Sequence, residues 1–336
     1  MKKKTINIIL GLSVVFNLSN LSFAGSNPVA LRSKPDSQTD SIITEILAKK
    51  EKYLSILKKN GGSDFNLSIV EFAVFMDFDG TIMYGDMTEG DATAASLYKG
   101  LAEQAITQNM LENYKGESGY KKHINTYEKI LTDTRDHGAA YNYTADVVTN
   151  KLSVSSTDYQ TYIRDYFAST LNKYLFTSSV KIMKALDKAG IKIYIISASP
   201  LIYAKEANVL FPFIHKDNIF GIDPRVDSSG NKIDPIINFA EGKIERIKSI
   251  IKREQDAGKL PILLGGFGNS WSTDGAFLKW LAKTDFTDPK EELGYQILNT
   301  NEIKPTVVMI NGGPTQEDIY GIKEVNQKAM LGIPLK

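Results

Sequence analysis

Short apolar runs, each followed by polar or glycine-rich residues, recur along the chain. They occupy residues 73–76, 192–196, 261–264 and 306–310. Runs of this length and composition are typical of buried strands in a parallel sheet. Two glycines follow the third run directly, so we expect that strand to end in a turn at Gly265-Gly266.

The segments that precede the later strands have helical periodicity instead. Apolar residues recur at helical spacing over residues 180–188, before Gly190, and over residues 242–254. An earlier helix is predicted over residues 39–59, and Gly61-Gly62 after it should end the helix. Strands that alternate with helices after about residue 175 predict a doubly wound α/β sheet of Rossmann-like type.

The stretch from about residue 90 to residue 175 has a different composition. It is rich in Tyr, Ala, Glu, Lys and Thr, has helical spacing and contains few strand-like runs. We therefore expect a mainly helical cap, residues 91–175, inserted after the first core strand. The core would then comprise residues 68–90 and 176–336, with an N-terminal leader and helix over residues 25–67.

The first 24 residues have the parts of a secretory signal peptide. Three lysines at positions 2–4 precede an apolar run over residues 6–16, and Ser22-Phe23-Ala24 offers small residues for cleavage after Ala24. The alternative is an uncleaved membrane anchor, which the shortness of the apolar run disfavours. We therefore expect a periplasmic or secreted protein with no membrane span once the signal is removed.

Composition excludes several kinds of chemistry. The 336 residues include no cysteine, which rules out disulfides, thiolate metal sites and cysteine nucleophiles. The three histidines are too scattered to form a His-rich zinc motif. The net charge of +1 becomes −2 once the three leader lysines are removed, and no basic stripe indicates nucleic acid.

Two carboxylates stand directly after the first predicted strand, in Asp77-Phe78-Asp79-Gly80-Thr81. In an open α/β sheet, ligands bind outside the carboxyl ends of the strands. Carboxylates this close repel each other unless a cation or a shared proton intervenes. One can act as a nucleophile on phosphorus and the other can transfer protons. An Asp-Gly turn without catalytic function is the alternative.

Three further motifs follow the other predicted elements. Ser197 ends the second strand and could hold phosphate oxygens, although a helix N-cap is the commoner role. Lys243 begins a helix, where it is either a solvated charge or a counter-charge for a phosphoryl transition state. Asn269 and Asp274 follow the third strand and offer the oxygen ligands that Mg²⁺ prefers, unless they only form a polar turn.

The order, spacing and position of these motifs resemble the haloacid dehalogenase superfamily of phosphotransferases over roughly residues 70–315. The resemblance implies that Asp77 is the nucleophile and Asp79 the general acid and base. It places Ser197, Lys243 and Thr81 at the phosphate. It implies Mg²⁺ bound by Asp77, the Asp79 backbone carbonyl, Asn269 and Asp274. Because the family pattern has an acidic residue where Asn269 stands, we expect weaker metal binding rather than a different reaction.

Within that superfamily the chain is similar to the secreted bacterial phosphorylcholine phosphatases. The similarity is carried by Asp86 and Glu89 after the first motif, by Glu117-Ser118-Gly119-Tyr120 and by Ala140-Tyr141-Asn142-Tyr143. A quaternary ammonium has no N–H group to donate, so carboxylates and aromatic faces hold it. The candidates for this role are Glu89, Glu117, Tyr120, Tyr141 and Tyr143. The alternative is that the tyrosines only pack in the protein interior and the glutamates are only solvated.

The sequence therefore predicts an exported, Mg²⁺-dependent phosphomonoesterase that acts through an aspartyl phosphate. Its partner would be a small-molecule phosphate monoester, phosphocholine or a similar compound, and no nucleic acid. One alternative is a phosphatase for phosphoserine or phosphoethanolamine. Another is a catalytically weak protein that binds phosphorylated ligands in the same pocket.

Overall fold

The described part of the chain is built around one β-sheet. A computed structural model describes residues 35–61, 66–93, 95–283, 303–312, 321–327 and 330–331, and the predicted signal peptide lies outside them. The strands within these residues are β1 (Val70–Met76), β2 (Lys192–Pro200), β3 (Ile219–Ile222), β4 (Leu260–Gly268), β5 (Thr306–Ile310) and β6 (Lys323–Val325). Their order is β3-β2-β1-β4-β5-β6, and every neighbouring pair is parallel.

Helices cover both faces of this sheet. Those in the described residues are α1 (Pro35–Gly61), α2 (Leu101–Thr107), α3 (Gly116–Thr134), α4 (His137–Asn150), α5 (Ser156–Ser169), α6 (Thr177–Lys188), α7 (Leu201–Glu206), α8 (Glu241–Asp256) and α9 (Gly275–Lys283). Side chains alternate across each strand. Val74 of β1 accordingly packs into the same apolar cluster as α1 and α6, whereas Phe75 packs into the cluster with α8 and α9.

The predicted fold class is confirmed. The sheet is all-parallel, helices lie on both faces, and α2–α5 stand between β1 and β2 in the chain. This arrangement is that of a doubly wound, Rossmann-like α/β core. Helices α2–α5 are called the cap below. The predicted boundaries of leader, core and cap stay a prediction.

Strand β4 does not end where the sequence predicts. Gly265 and Gly266 continue the strand to Gly268 instead of forming a turn. A Cβ atom on Gly266 would lie 2.4 Å from Leu281 Cδ1, and one on Gly265 would lie 2.8 Å from the backbone oxygen of Thr306. The two glycines therefore allow α9 and β5 to approach β4 closely, a requirement that is invisible in the local sequence.

Buried polar contacts join one end of the cap to the core. The hydroxyls of Tyr159 in α5 and Tyr203 in α7 lie 2.6 Å apart. Arg164 of α5 donates two hydrogen bonds to Glu206, at 2.9 and 3.1 Å, and Lys216 contacts the same buried carboxylate. Charge-assisted hydrogen bonds of this kind fix orientation as well as proximity. Helix α5 is therefore firmly docked on the core.

Candidate active site

The C-terminal ends of three adjacent strands bring the polar motifs together. Met76, the last residue of β1, pairs with Ile195 on one side and with Phe267 on the other. The Asp77 amide then donates to the Phe267 carbonyl at 2.9 Å. Since the carboxyl ends of parallel strands share one edge, the motifs after β1, β2 and β4 converge there.

Asp77 is buried at this edge and is held on both carboxylate oxygens. Lys243 Nζ donates to Oδ1 at 2.6 Å, and Thr81 Oγ1 donates to Oδ2 at 3.2 Å. Burial and the neighbouring Asp274 raise the pKa of Asp77 to about 7, although Lys243 acts to lower it. Burial acts to lower the pKa of Lys243, but Asp274 and Asp77 raise it above its ordinary value. The ammonium is therefore charged at neutral pH.

Asp274 organises the loop that follows β4. Its Oδ1 accepts a hydrogen bond from Lys243 Nζ at 2.5 Å, and its Oδ2 accepts from the amides of Asn269 at 2.9 Å and Ser270 at 3.2 Å. The side chain is completely buried. Asp274 thus orients both the lysine beside Asp77 and the peptide of Asn269.

Asp79 is held by one amide and two hydroxyls. Met87 N donates to Oδ1 at 2.7 Å, while Ser197 Oγ and Ser199 Oγ donate to Oδ2 at 3.0 and 2.9 Å. The Thr88 hydroxyl donates to Ser199 Oγ at 2.9 Å. Ser197, which sequence reasoning placed at the phosphate, lies inside β2 and contacts Asp79. A chain of hydroxyl groups therefore fixes the second carboxylate of the first motif.

Four carboxyl groups share this edge and have raised pKa values: Asp77 is buried, and Asp79, Asp86 and Glu89 are half-buried. Burial raises the pKa of Asp79 well above its ordinary value, and the charges of Asp86 and Asp77 raise it further. Burial also raises the pKa of Asp86. Burial and Asp86 together raise the pKa of Glu89 to about 8. Such a concentration of raised carboxyl pKa values is typical of functional sites, and a raised pKa suits Asp79 to proton transfer.

Asn269 lies directly against the first motif. A Cβ atom on Gly80 would stand 1.9 Å from Asn269 Nδ2, and Gly80 has a φ of +71°. Glycine is therefore required at position 80 both for its backbone conformation and for space. The Asn269 amide consequently lies beside the peptide that follows Asp79.

This donor set fits a magnesium ion. The Asp77 carboxylate and the side-chain oxygen of Asn269 are hard donors, and the Asn269 side chain lies beside Gly80, the residue after Asp79. Both Asp274 oxygens, like both Asp77 oxygens, already accept hydrogen bonds from the protein. Among the described residues no three His, Cys, Asp or Glu side chains converge as a metal cluster, so a cation would also need amide, carbonyl or water oxygens. Mg²⁺ accepts such ligands and usually keeps several waters.

The cap brings two of the predicted substrate residues together. Glu89 is half-buried, and its carboxylate interacts with the hydroxyl of Tyr127 in α3. That hydroxyl also interacts with Tyr141 of α4, whose own surroundings include Glu89, Asp86 and Asp79. Tyr141 packs against Phe239 of the core, with 5.4 Å between ring centroids. Glu89 and Tyr141 therefore lie on the Asp79 side of the site.

Tyr143 is not part of that group. Its hydroxyl lies 2.9 Å from that of Tyr114, and its ring stacks on His123 with 5.3 Å between centroids. Residues two apart on a helix do not face the same neighbour, so Tyr141 and Tyr143 point in different directions from α4. Tyr143 belongs to the aromatic packing inside the cap.

Glu117 and Tyr120 lie on α3 at different depths. The Glu117 side chain is 79% exposed, and its carboxylate is 3.9 Å from Lys99 Nζ. Tyr120 is half-buried, stacks against His123 at 6.5 Å and is influenced by Glu89 as well as Glu117. The structure therefore does not gather the five predicted substrate residues around one point.

Sequence reasoning missed several residues that the fold brings to this edge. Ser199 donates a hydrogen bond to Asp79, Tyr127 lies close enough to Glu89 to influence its pKa, and Phe239 packs on Tyr141. Ser199 stands in the same Ser-Ala-Ser segment as Ser197, and Phe239 stands four positions before Lys243. Proximity in the sequence to Ser197 and to Lys243 could have indicated Ser199 and Phe239. Such proximity does not tell which way a side chain points.

Comparisons with known proteins bear on the fold rather than the reaction. No protein-family model matches the sequence, and no curated protein matches it. The chain is similar to a solved structure of a protein of unknown function from Bordetella pertussis Tohama I, with TM-score 0.52 and 11% identity over 76% of this chain and 99% of that one. That likeness supports the fold alone.

Two weaker structural matches have TM-scores of 0.32, which is too low to support an argument about this chain. One is cytosolic 5'-nucleotidase IIIB bound to cytidine, 16% identical over 61% of this chain and 62% of that one. The other is a candidate phosphatase from Clostridium difficile, 12% identical over 76% of this chain and 95% of that one. The functional conclusion therefore depends on the site itself.

Proposed function

We propose that the protein hydrolyses small phosphate monoesters through a covalent aspartyl phosphate on Asp77. The observation that supports this most directly is the buried ammonium of Lys243, 2.6 Å from the Asp77 carboxylate at the C-terminal edge of the sheet. A carboxylate held by a lysine, with a second carboxyl group of raised pKa two residues away, suits nucleophilic attack coupled to proton transfer.

The proposed reaction has two steps. An Asp77 oxygen attacks phosphorus, the bond to the ester oxygen breaks, and the Asp79 carboxyl gives its proton to the departing alcohol. A water molecule then attacks the aspartyl phosphate and gives a proton to Asp79, which releases inorganic phosphate and restores Asp77. Lys243 offsets the negative charge that accumulates on the phosphoryl oxygens.

The hydroxyl groups near the two carboxylates have positioning roles in this proposal. Ser197 and Ser199 hold Asp79, and Thr81 holds Asp77. Contact of Ser197, Thr81 or Lys243 with the phosphate of a bound substrate stays a prediction. Each of these groups has a donor that could serve that purpose if the substrate displaced its present partner.

We also propose that the enzyme requires Mg²⁺. Asp77, Asn269 and the Asp79 backbone carbonyl would hold the ion, and Asp274 would orient the Asn269 peptide that precedes it. When bound, Mg²⁺ neutralises charge on a phosphate and its nucleophile. The uncharged Asn269 leaves the site with one carboxylate fewer than the motif usually supplies.

Release of p-nitrophenol from p-nitrophenyl phosphate tests the reaction. The purified protein should turn over this substrate with Mg²⁺, lose activity with EDTA and regain it when Mg²⁺ is restored. Asp256→Asn, which changes a carboxylate on the exposed side of α8, serves as the matched control and should leave the rate unchanged. Saturable binding of phosphate monoesters without any release of phosphate would favour a binding protein.

For the natural substrate we propose phosphocholine or a similar monoester with a cationic alcohol. The anionic surroundings of Tyr141, with Glu89, Asp86 and Asp79 near it, support a positively charged leaving group. Phosphoethanolamine and phosphoserine are the alternatives within the same reaction class. Comparing kcat/KM for the three compounds ranks them, and a preference for phosphoserine would contradict the phosphocholine proposal.

Export is proposed on the N-terminal sequence, since the structure does not describe those residues. Within the described residues, no helix has the length and apolar character needed to cross a membrane. We expect the mature protein to begin at Gly25 and to lie in the periplasm or medium. N-terminal sequencing checks this, and recovery of the intact Met1 form in the membrane fraction would favour an anchor.

A further inference from the structure

Aromatic side chains from the cap and from the core meet on the Asp79 side of the site. The ring of Phe239, in the loop before α8, lies 5.4 Å from that of Tyr141 and 5.7 Å from that of His137. The ring of Tyr127 lies 6.3 Å from that of Tyr141. Tyr141 therefore packs against one aromatic group of α3 and one of the core.

Negative charge borders this aromatic group. Tyr127 interacts with the Glu89 carboxylate, and Tyr141 lies within the influence of Glu89, Asp86 and Asp79. Aromatic faces beside a carboxylate are the surroundings that bind an ammonium without N–H groups. A primary ammonium would instead require hydrogen-bond acceptors around each of its three protons.

A buried arginine holds the loop that carries Phe239. Arg246 of α8 donates to Asp234 Oδ2 at 2.5 Å, to Asn238 Oδ1 at 2.9 Å and to the Ile236 carbonyl at 3.4 Å. Arg246 is 5% exposed and Asn238 is completely buried. The planar guanidinium thus ties three points of the segment that immediately precedes Phe239, which a lysine could not do.

The junction between this loop and α8 is constrained as well. Ala240 has φ 47° and ψ −118°, a conformation that non-glycine residues rarely adopt. A Cβ atom on Gly242 would lie 1.8 Å from the Ile237 carbonyl oxygen. Lys243, which holds Asp77, is the next residue. Phe239 and Lys243 are therefore connected by a short segment whose conformation is fixed by its surroundings.

We propose that Phe239 is a specificity-determining residue that forms the core side of the leaving-group subsite. Tyr127 and Tyr141 form the cap side and Glu89 supplies the negative charge, so the subsite takes phosphate monoesters whose alcohol carries a quaternary ammonium. Arg246 is the positioning residue that holds Phe239 against the cap. The inference rests on the proposed phosphatase function and assigns its leaving-group specificity to residues that lie far apart in the sequence.

The test compares two substrates of nearly the same shape. Phosphocholine carries a quaternary nitrogen, whereas 3,3-dimethylbutyl phosphate has a neutral carbon in its place. We expect the wild-type protein to prefer phosphocholine in kcat/KM. Phe239→Leu keeps apolar bulk but removes the aromatic face, and should lower this preference about two- to thirtyfold, mainly through the KM of phosphocholine. Phe239→Tyr should restore the preference.

Phe213→Leu is the matched control. Phe213 is also a partly buried phenylalanine, but it lies near the N-terminal ends of β1 and β2, away from the site. Arg246→Lys keeps the charge and loses the planar fork, so we expect it to raise the KM of phosphocholine while changing kcat for 3,3-dimethylbutyl phosphate little. Circular dichroism spectra of every variant should match the wild type.

These experiments distinguish failure of the cation subsite from failure of the proposed phosphatase function. A wild-type protein that does not hydrolyse p-nitrophenyl phosphate would overturn the proposed function. A protein that hydrolyses it but shows equal kcat/KM for phosphocholine and its neutral analogue would overturn the cation subsite alone. Retention of the wild-type preference in Phe239→Leu would remove Phe239 from the subsite. Equal losses on both substrates in Arg246→Lys would show a merely structural role for Arg246.

Discussion

Lys243 Nζ lies 2.6 Å from Asp77 Oδ1, and the two side chains are only 1% and 6% exposed. Asp274 contacts the same ammonium from the other direction, at 2.5 Å. One buried cation therefore serves two buried carboxylates. Removing one partner of such a group leaves charges without compensation, which is strongly unfavourable in a protein interior.

We expect Lys243→Met to abolish turnover and to lower the free energy of unfolding by about 3–5 kcal/mol near pH 8. The deficit should shrink as the pH falls from 8 towards 7, because without Lys243 the Asp77 carboxyl, whose pKa is already raised to about 7 in the wild type, takes up its proton at a higher pH. Urea denaturation at pH 5 and pH 8 measures this. Lys252→Met is the control, because Lys252 forms an exposed ion pair with Asp256. This change should lower the free energy of unfolding by at most about 0.5 kcal/mol. An equal deficit at both pH values would argue against charge as the cause.

Asp77→Asn should reduce turnover of p-nitrophenyl phosphate to below a few per cent, because an amide is a poor nucleophile. Asp79→Asn should act differently. With this activated ester it should still be phosphorylated but should hydrolyse the aspartyl phosphate slowly. Mass spectrometry of acid-quenched enzyme should show one added phosphoryl group in Asp79→Asn and none in Asp77→Asn. A phosphorylated Asp77→Asn protein would place the nucleophile elsewhere.

The uncharged amide of Asn269 should limit the affinity for Mg²⁺. We expect Asn269→Asp to reach half-maximal activity at a lower Mg²⁺ concentration than the wild type, since it adds a negative oxygen ligand. Isothermal titration of both proteins with MgCl₂, without substrate, separates binding from turnover. Equal or weaker Mg²⁺ binding by Asn269→Asp would show that Asn269 is not a ligand.

Glu89 should make stability depend on pH in a defined direction. Burial and the charge of Asp86 raise the pKa of Glu89 from 4.5 to about 8. The folded state therefore binds this proton more tightly than the unfolded state, so stability falls as the pH rises from about 4.5 to about 8. Glu89→Gln should consequently gain stability relative to the wild type at pH 9 and little at pH 4.5.

Chemical denaturation at several pH values, without ligand, checks this prediction. Glu117→Gln is the matched control, because its side chain is largely exposed and should give the same difference from wild type at every pH. Saturating choline chloride should reduce the stability that Glu89→Gln gains over the wild type at pH 9, because a bound cation stabilises the ionised carboxylate of the wild type. A stability difference that does not vary with pH would contradict the raised pKa.

The sequence alone was sufficient to predict the core of the site. Apolar runs ending in Asp77 and Ser197 indicated parallel strands, and the carboxyl ends of such strands meet at one edge. That rule places Asp77 and Asp79 near Ser197, Lys243 and Asn269 from the sequence alone. It works because backbone hydrogen bonding fixes where strands end relative to one another, whatever the side chains are.

Only the tertiary structure decided which cap residues face that edge. Tyr141 and Tyr143 are equivalent in the sequence, yet one lies near Glu89 and the other packs on His123. Phe239 stands almost a hundred positions after Tyr141, and packing rather than local propensity brings the two rings together. Helix periodicity indicates which residues share a face, but it does not tell which face packs against the core. That choice depends on the burial of all the surrounding apolar surfaces at once.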